Sequence, residues 1–204
     1  MKLKPIDSPD LFRLVAGWIS QKENYQWLDF GDGKQIPSAA WLKIITQRPT
    51  EVLRVFTSDD DDVPIGVVGL TEVNRQFKTG RVWGLVGDKS FQARGYGTRA
   101  CSAMLTYAFE ELGLHAVNSP IVEGNPSVKI MQRLGFTFIG RQRQCHYIDG
   151  RPLDNSAPGV GVGSADDRLP SEAKRRHCGC DRGHPCASEQ QLFELAHLSS
   201  SFGR

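Results

Sequence analysis

Apolar positions recur at strand and helix spacings along most of this chain. Leu3 to Ile6 forms a short first strand, and Ser8-Pro9-Asp10 reads as a helix start, with Ser8 as cap and Pro9 at the first helical position. Leu11, Leu14, Val15 and Trp18 supply the apolar face of that helix. A second helix is expected from Ser38 to Thr46, with Trp41, Leu42 and Ile45 inward. Between the two lies Asn24-Tyr25-Gln26-Trp27-Leu28-Asp29-Phe30, aromatic-rich and without period. It reads as a loop whose aromatics plug the core, with a wall of an acceptor pocket as the alternative. Strands follow at Glu51–Thr57, Ile65–Leu70 and Arg81–Val86. A helix then carries Cys101, Met104, Leu105, Ala108 and Leu112 on one face. Ala116–Glu123 is the next strand, a short helix occupies Ser127–Leu134, and Phe136–Gly140 is a last apolar segment. This order gives a mixed sheet with helices on its faces, not the regular alternation of a doubly wound nucleotide fold.

The bulk numbers narrow the classes. A chain of 204 residues suits one globular domain with a short appendage. A net charge of +2 gives no case for nucleic acid or an anionic membrane as partner. No apolar stretch approaches the length of a membrane span, and no signal-peptide pattern opens the chain, so a cytoplasmic location is expected. The five cysteines are irregularly spaced, which points to reduced thiols instead of a disulfide framework. Four adjacent aspartates, Asp59 to Asp62, read as a solvated hairpin turn, because their spacing converges no oxygens on one point.

The segment Gln92-Ala93-Arg94-Gly95-Tyr96-Gly97-Thr98 carries the chemistry. It follows a strand and opens a helix, where unpaired backbone N–H groups and the positive end of the helix dipole suit a phosphate. Thr98-Arg99 follows Gly97, so the Lys-Ser/Thr pair of a nucleoside-triphosphate loop is missing. Ser102 stands where the dinucleotide fingerprint needs a third glycine.

With Tyr107-Ala108-Phe109-Glu110-Glu111-Leu112-Gly113-Leu114, then Asn125-Pro126-Ser127, then Leu134-Gly135-Phe136, the chain resembles the GCN5-related N-acetyltransferase (GNAT) superfamily. It looks most like the branch that includes ribosomal-protein N-terminal acetyltransferases, and the resemblance covers residues 1 to 154. It implies a central mixed, mostly antiparallel sheet with helices on both faces. It also implies an enzyme moving an acetyl group from acetyl-CoA to an amine, by direct attack in a ternary complex. The cofactor residues it implies are Gln92, Ala93, Arg94, Gly95, Tyr96, Gly97 and Thr98 for the pyrophosphate, with Leu85, Val86 and Gly87 pairing with the pantetheine arm. Asn125 and Ser127 match the motif on the far side of that arm. A backbone N–H along the strand would steady the oxyanion.

An amine of pKa ~10 must lose a proton before attack, so a base is required. Glu72, Glu123 and His146 are the candidates, with Tyr147 a further possibility; for each, an ordinary strand end or strand surface is the competing reading. Cys145 reads as a structural thiol. Two departures from the family pattern stand out. Met131 occupies the position, four before Gly135, where many members have an acidic Tyr, and Asn125 lies ten residues before Gly135 where the common pattern has eleven.

Cys145 to Asp154 resembles the family's last hairpin turn, yet Asn155 to Ser164 is rich in Gly, Pro and Ser. That composition reads as an insertion, about Asn155 to Gln190, with Gln191–Leu198 as a displaced closing strand, or as a shifted reading frame that replaces the native end. His177, Cys178, Cys180, His184 and Cys186 are suitable ligand types without a standard spacing, and no metal is expected. The acceptor is left open between a protein N-terminus and a small amine such as an amino sugar, polyamine or antibiotic. A CoA-binding module without transfer activity is the reading from another class. An unfinished sheet edge would invite a homodimer.

Overall fold

A computed structural model describes residues 1–28 and 37–161. Asp29 and Phe30, the 177–186 ligand types and the displaced strand at 191–198 lie outside these residues.

One sheet organises the chain. Strands β1 (Leu3–Pro5), β2 (Val52–Thr57), β3 (Pro64–Asn74) and β4 (Thr79–Val86) run antiparallel to their neighbours in that order. β5 (Ala116–Asn118) joins β4 in parallel, the single parallel pair among the described residues. β5 and β6 (Ile121–Val122) follow one another along one side of β8 (Arg151–Gly161), and β7 (Thr137–Ile148) lies along its other side. The sheet is therefore mixed and mostly antiparallel, as expected from the sequence.

Helices cover both faces. On one lie α1 (Pro9–Ile19), the single turn α2 (Lys22–Tyr25) and α3 (Ala39–Ile45). Ser8 caps α1 by accepting the Leu11 N–H at 3.2 Å, with Pro9 in the first turn. Ser38 caps α3 in the same way through the Trp41 N–H. Val15, Trp18, Ile19, Leu42 and Ile45 pack onto Leu53, Val55 and Val67 of the sheet. On the other face α4 (Tyr96–Thr106) continues into a wider turn, Tyr107–Glu111, and α5 (Val128–Arg133) lies beside it. There Ala100, Cys101, Met104, Leu105 and Ala108 pack onto Phe56, Val68, Leu70 and Val82. The alternation of side chains along β2 to β4 sends every second residue to each core.

Several expectations are corrected. Trp41 and Leu14 are 42% and 38% exposed instead of inward, and Phe12 is buried on α1. The Asn24 segment begins as helix α2, because buried Asn24 donates its amide to Trp18 O at 2.7 Å and so ties the turn to α1. The strand at Ala116–Glu123 is broken in two at Ser119-Pro120, since Pro120 has no N–H to continue a ladder. The aspartates form the exposed turn between β2 and β3, as expected, and two of them also pair: Asp59 with Arg99 and Met1 N, and Asp62 with Lys2 and Lys4.

The largest correction concerns the closing strand. Asn155 to Gly161, where composition places the start of an insertion, is the second half of β8. Its backbone is paired on both sides, with Gly159 and Val160 opposite β5 and Asn155 to Gly159 opposite β7. Main-chain pairing between two strands does not require bulky side chains, and a compositional reading cannot see it.

Candidate active site

The sheet splits where β4 and β5 part. β4 pairs with β5 only at Thr79, Gly80 and Arg81, opposite Ala116, Val117 and Asn118. Beyond Arg81 the strand runs on to Val86 while β5 ends at Ser119-Pro120. The parity of the ladders tells which backbone groups face the gap. Gly87 N–H goes to Ile65 O on β3 at 2.9 Å, and Lys78 O accepts Ala116 N–H from β5 at 3.2 Å. Odd residues of β4 therefore bond to β3 and even residues face β5, so Gly84 and Val86 present their N–H and C=O to the opening.

Just past Val86 the chain forms the cradle. A short turn, Lys89–Phe91, is capped by Asp88, whose carboxylate accepts the Ser90 N–H. Ala93 and Gly95 then adopt left-handed backbone, φ +59° and +83°. For Ala93 this is a sparsely populated conformation that costs on the order of 1 kcal/mol. It lets the chain curl so that Gly95 enters α4 as its N-terminal cap residue. The amides of Ala93, Arg94, Gly95, Tyr96, Gly97 and Thr98 have no acceptor among the described residues. They form a concave set of donors at the positive end of an 11-residue helix.

The cradle is anchored from behind. Tyr96 is buried, its ring meets Phe91 edge-on at 5.7 Å, and its hydroxyl accepts the Asp59 N–H at 3.3 Å. Arg99, one turn on, holds Asp59 with two hydrogen bonds of 2.7 and 2.9 Å. That guanidinium and the N-terminal amine keep the Asp59 carboxyl well below the usual carboxylate range.

A cavity of about 680 Å³ passes through the split and touches both faces of the sheet. On the α4–α5 side Gly97, Ala100, Cys101, Asn125, Ser127 and Ile130 line it. Asn125 Oδ1 accepts the Ser127 N–H at 2.9 Å, which shapes the entry to α5. On the α1–α3 side the lining comes from Trp27, Leu28, Trp41, Ile45, Glu51 and Glu72. Trp27 and Leu28 are thus walls of the cavity.

The candidate bases separate clearly. Glu72 lines the cavity from a bulge at the end of β3 (φ +52°), and its carboxylate accepts from Arg81 Nη1 at 2.5 Å. Glu123 is exposed, faces Arg141 at 3.6 Å and is not part of the lining. His146 is buried away from the cavity, with Nε2 2.7 Å from Gln26 O. Since a carbonyl only accepts, that nitrogen carries the proton and donates it. Tyr147 is exposed outside the lining. Cys101 is buried beside the cavity, and burial pushes its thiol up to about 12, so it is no nucleophile at neutral pH.

A matching family model settles the relationship. The acetyltransferase (GNAT) domain matches residues 1–137. The chain belongs to the GNAT family. Among curated relatives, a putative ribosomal N-acetyltransferase, YdaF, of Bacillus subtilis is 36% identical over 91 residues, 44% of this chain and 48% of that protein. A probable N-acetyltransferase, YjcK, of the same organism is 31% identical over 97 residues, 47% of this chain and 53% of that one. The chain spans about half the length of these curated relatives. Solved structures share the fold. A spermidine N-acetyltransferase from Vibrio cholerae, in complex with CoA and spermine, superposes with a TM-score of 0.71 at 19% identity, over 80% of this chain and 96% of that one. A ribosomal-protein-S5-alanine acetyltransferase from Vibrio fischeri gives 0.64 at 18%, over 81% and 93%.

Within this GNAT fold the implied cofactor residues are not equivalent. Val86 faces the split, whereas the Leu85 backbone bonds to β3 and Gly87 is spent on Ile65 and on packing. A Cβ at Gly87 would lie 2.0 Å from the Trp18 ring, so its glycine serves close approach. Gly84, like Val86, turns its backbone groups to the opening. Met131 is buried against the cavity and contributes no proton.

Glu51 is the residue that sequence reading passed over. It stands two positions before Leu53, on the α1–α3 face, and lines the cavity half-buried. Burial pushes its carboxyl above the ordinary value, against the pull of the Glu72 backbone and of Arg48. In the sequence it merely opens the expected strand Glu51–Thr57, where nothing marks it.

Proposed function

We propose that this protein transfers the acetyl group of acetyl-CoA to a primary amine by direct attack in a ternary complex. The observation that carries the reading is the continuous line of open backbone donors from Gly84 and Val86 on β4 into Ala93–Thr98. The pyrophosphate of CoA would rest on the Ala93–Thr98 amides, with Asn125 and Ser127 on the far side of the arm. Pantetheine would pair with Val86 and Gly84 as a substitute for the strand missing beyond Arg81. From Val86 to Val82 the strand rises ~14 Å, which brings the thioester toward the closed end of the split. The Gly84 amide is the donor for the developing oxyanion there.

Acceptor and donor reach that point from opposite faces of the sheet. Trp27, Trp41, Leu28 and Ile45 shape the acceptor side, and the amine belongs to a protein N-terminus or a small molecule. Positioning of the two reactants and a polarised carbonyl supply most of the acceleration. Free Cys101 and Cys145 agree with a reducing compartment, and the cytoplasm is the proposed location.

Thiol release from acetyl-CoA, followed over peptides with free N-termini, polyamines and amino sugars, tests the reading. Release that depends on one amine class supports it and names the acceptor. Tight binding of acetyl-CoA with no release over the whole panel would make the protein a CoA-binding module.

A further inference from the structure

We infer that Glu51 is the general base of this site. The inference rests on the acetyl-transfer reading and adds the group that takes the amine proton.

Placement comes first. The split between β4 and β5 closes at Arg81, which sits opposite Asn118 on β5 and opposite Thr71 on β3. Thr71 and Glu72 are therefore level with the closed end of the split, ahead of the Gly84 amide along the path of the arm. The register between β3 and β4 shifts between Thr71 and Asn74, and within that shift Glu72 takes left-handed backbone. There the Glu72 side chain turns to Arg81, which leaves the Glu51 carboxylate, among the described residues, as the unpaired acid on the cavity wall beside it.

Glu51 alternates with Leu53 and Val55, whose side chains pack under α1 and α3, so it belongs to the face from which the acceptor enters. The charged groups around it are Arg48 beyond α3, Glu72 on β3 and Arg81 on β4. Arg81 is already paired with Glu72, so the two side chains largely cancel and Glu51 keeps its proton affinity. Its carboxyl, raised by burial, is better matched to a neutral-pH proton transfer than an exposed one.

The step balances without another reactant. The Glu51 carboxylate takes one proton from the ammonium form of the acceptor, directly or through one water. The freed nitrogen attacks the thioester carbonyl carbon; the C–N bond forms and the C–S bond breaks. The CoA thiolate leaves and receives the second nitrogen proton, and Glu51 returns its own to solvent.

The test uses the full chain with the amine that gives thiol release. Glu51→Gln is expected to lower kcat roughly 100-fold, to leave acetyl-CoA affinity within about twofold, and to remove the acid limb of the kcat/KM profile. Glu51→Asp is expected to recover part of kcat and restore that limb. Glu72→Gln is expected to lose far less than Glu51→Gln. Wild-type kcat and an intact acid limb in Glu51→Gln would overturn the inference, as would loss of that limb in Glu72→Gln alone. Absence of thiol release from the wild-type chain would sink the transfer reading itself, so the two failures are distinct.

Discussion

Gly97→Ala separates the cofactor wall from the fold, because its effects on stability and on binding have opposite signs. Gly97 is the second residue of α4 and has ordinary helical backbone. A Cβ there would lie 3.4 Å from Ile130 Cδ1 and 3.6 Å from Val86 Cγ2, which is normal van der Waals contact. Alanine is favoured over glycine by ~1 kcal/mol in a helix interior and by less in the first turn, so about 0.5 kcal/mol is a fair gain. For a chain of this size that raises Tm by roughly 1–2 °C. The same methyl enters the space between α4, α5 and Val86, where the CoA arm of the proposed complex would approach the backbone. Loss of close approach to one amide costs about 1.4 kcal/mol, or roughly tenfold in affinity. Thermal unfolding without ligand and calorimetry with CoA read the two effects separately. Affinity equal to the wild type would refute the placement of the arm, and a Tm several degrees lower would refute the packing. Gly97→Glu puts a carboxylate against the pyrophosphate and is expected to abolish binding while the fold persists. Gly95 is a poorer probe, since its φ of +83° would penalise any side chain.

Two other expectations follow from side chains behind the site. His146→Ala removes the donor to Gln26 O and leaves a half-buried carbonyl unpaired, a loss of about 1 kcal/mol; denaturant unfolding should show it while kcat changes less than threefold. The Asp59 carboxyl is held low by Arg99 and the N-terminal amine, so its contribution is present above the ordinary carboxylate pKa. That contribution is lost as pH falls through the lowered folded value, and Asp59→Asn should flatten the acid side of the Tm-against-pH curve. An unchanged curve would show that the ion pair does not support the cradle.

Much of this was legible in local sequence. Ser8-Pro9 and Ser38 start helices through interactions within one turn, and the alternation in Val52 to Phe56 assigns that strand to two faces. Gly95-x-Gly97 after a strand marks a helix start with open amides because the amides concerned are neighbours in the chain. What escaped depends on partners far away. The second half of β8 looks like a linker because its pairing is main-chain on both sides. Asp59 shows no partner until Arg99 is seen beside it. His146 and Glu123 lie near the cofactor motifs in sequence, yet the fold turns one onto Gln26 and the other outward to Arg141. Glu51 is the converse: nothing in its neighbours along the chain marks it, and its place on the cavity wall comes only from the fold.

The most direct measurement is amine-dependent release of CoA from acetyl-CoA by the wild-type chain, run beside Gly97→Glu. The account predicts release with one class of primary amine and none from the variant with the same amine. Equal release from Gly97→Glu would contradict the assignment of the split between β4 and β5, and the turn at α4, as the cofactor site.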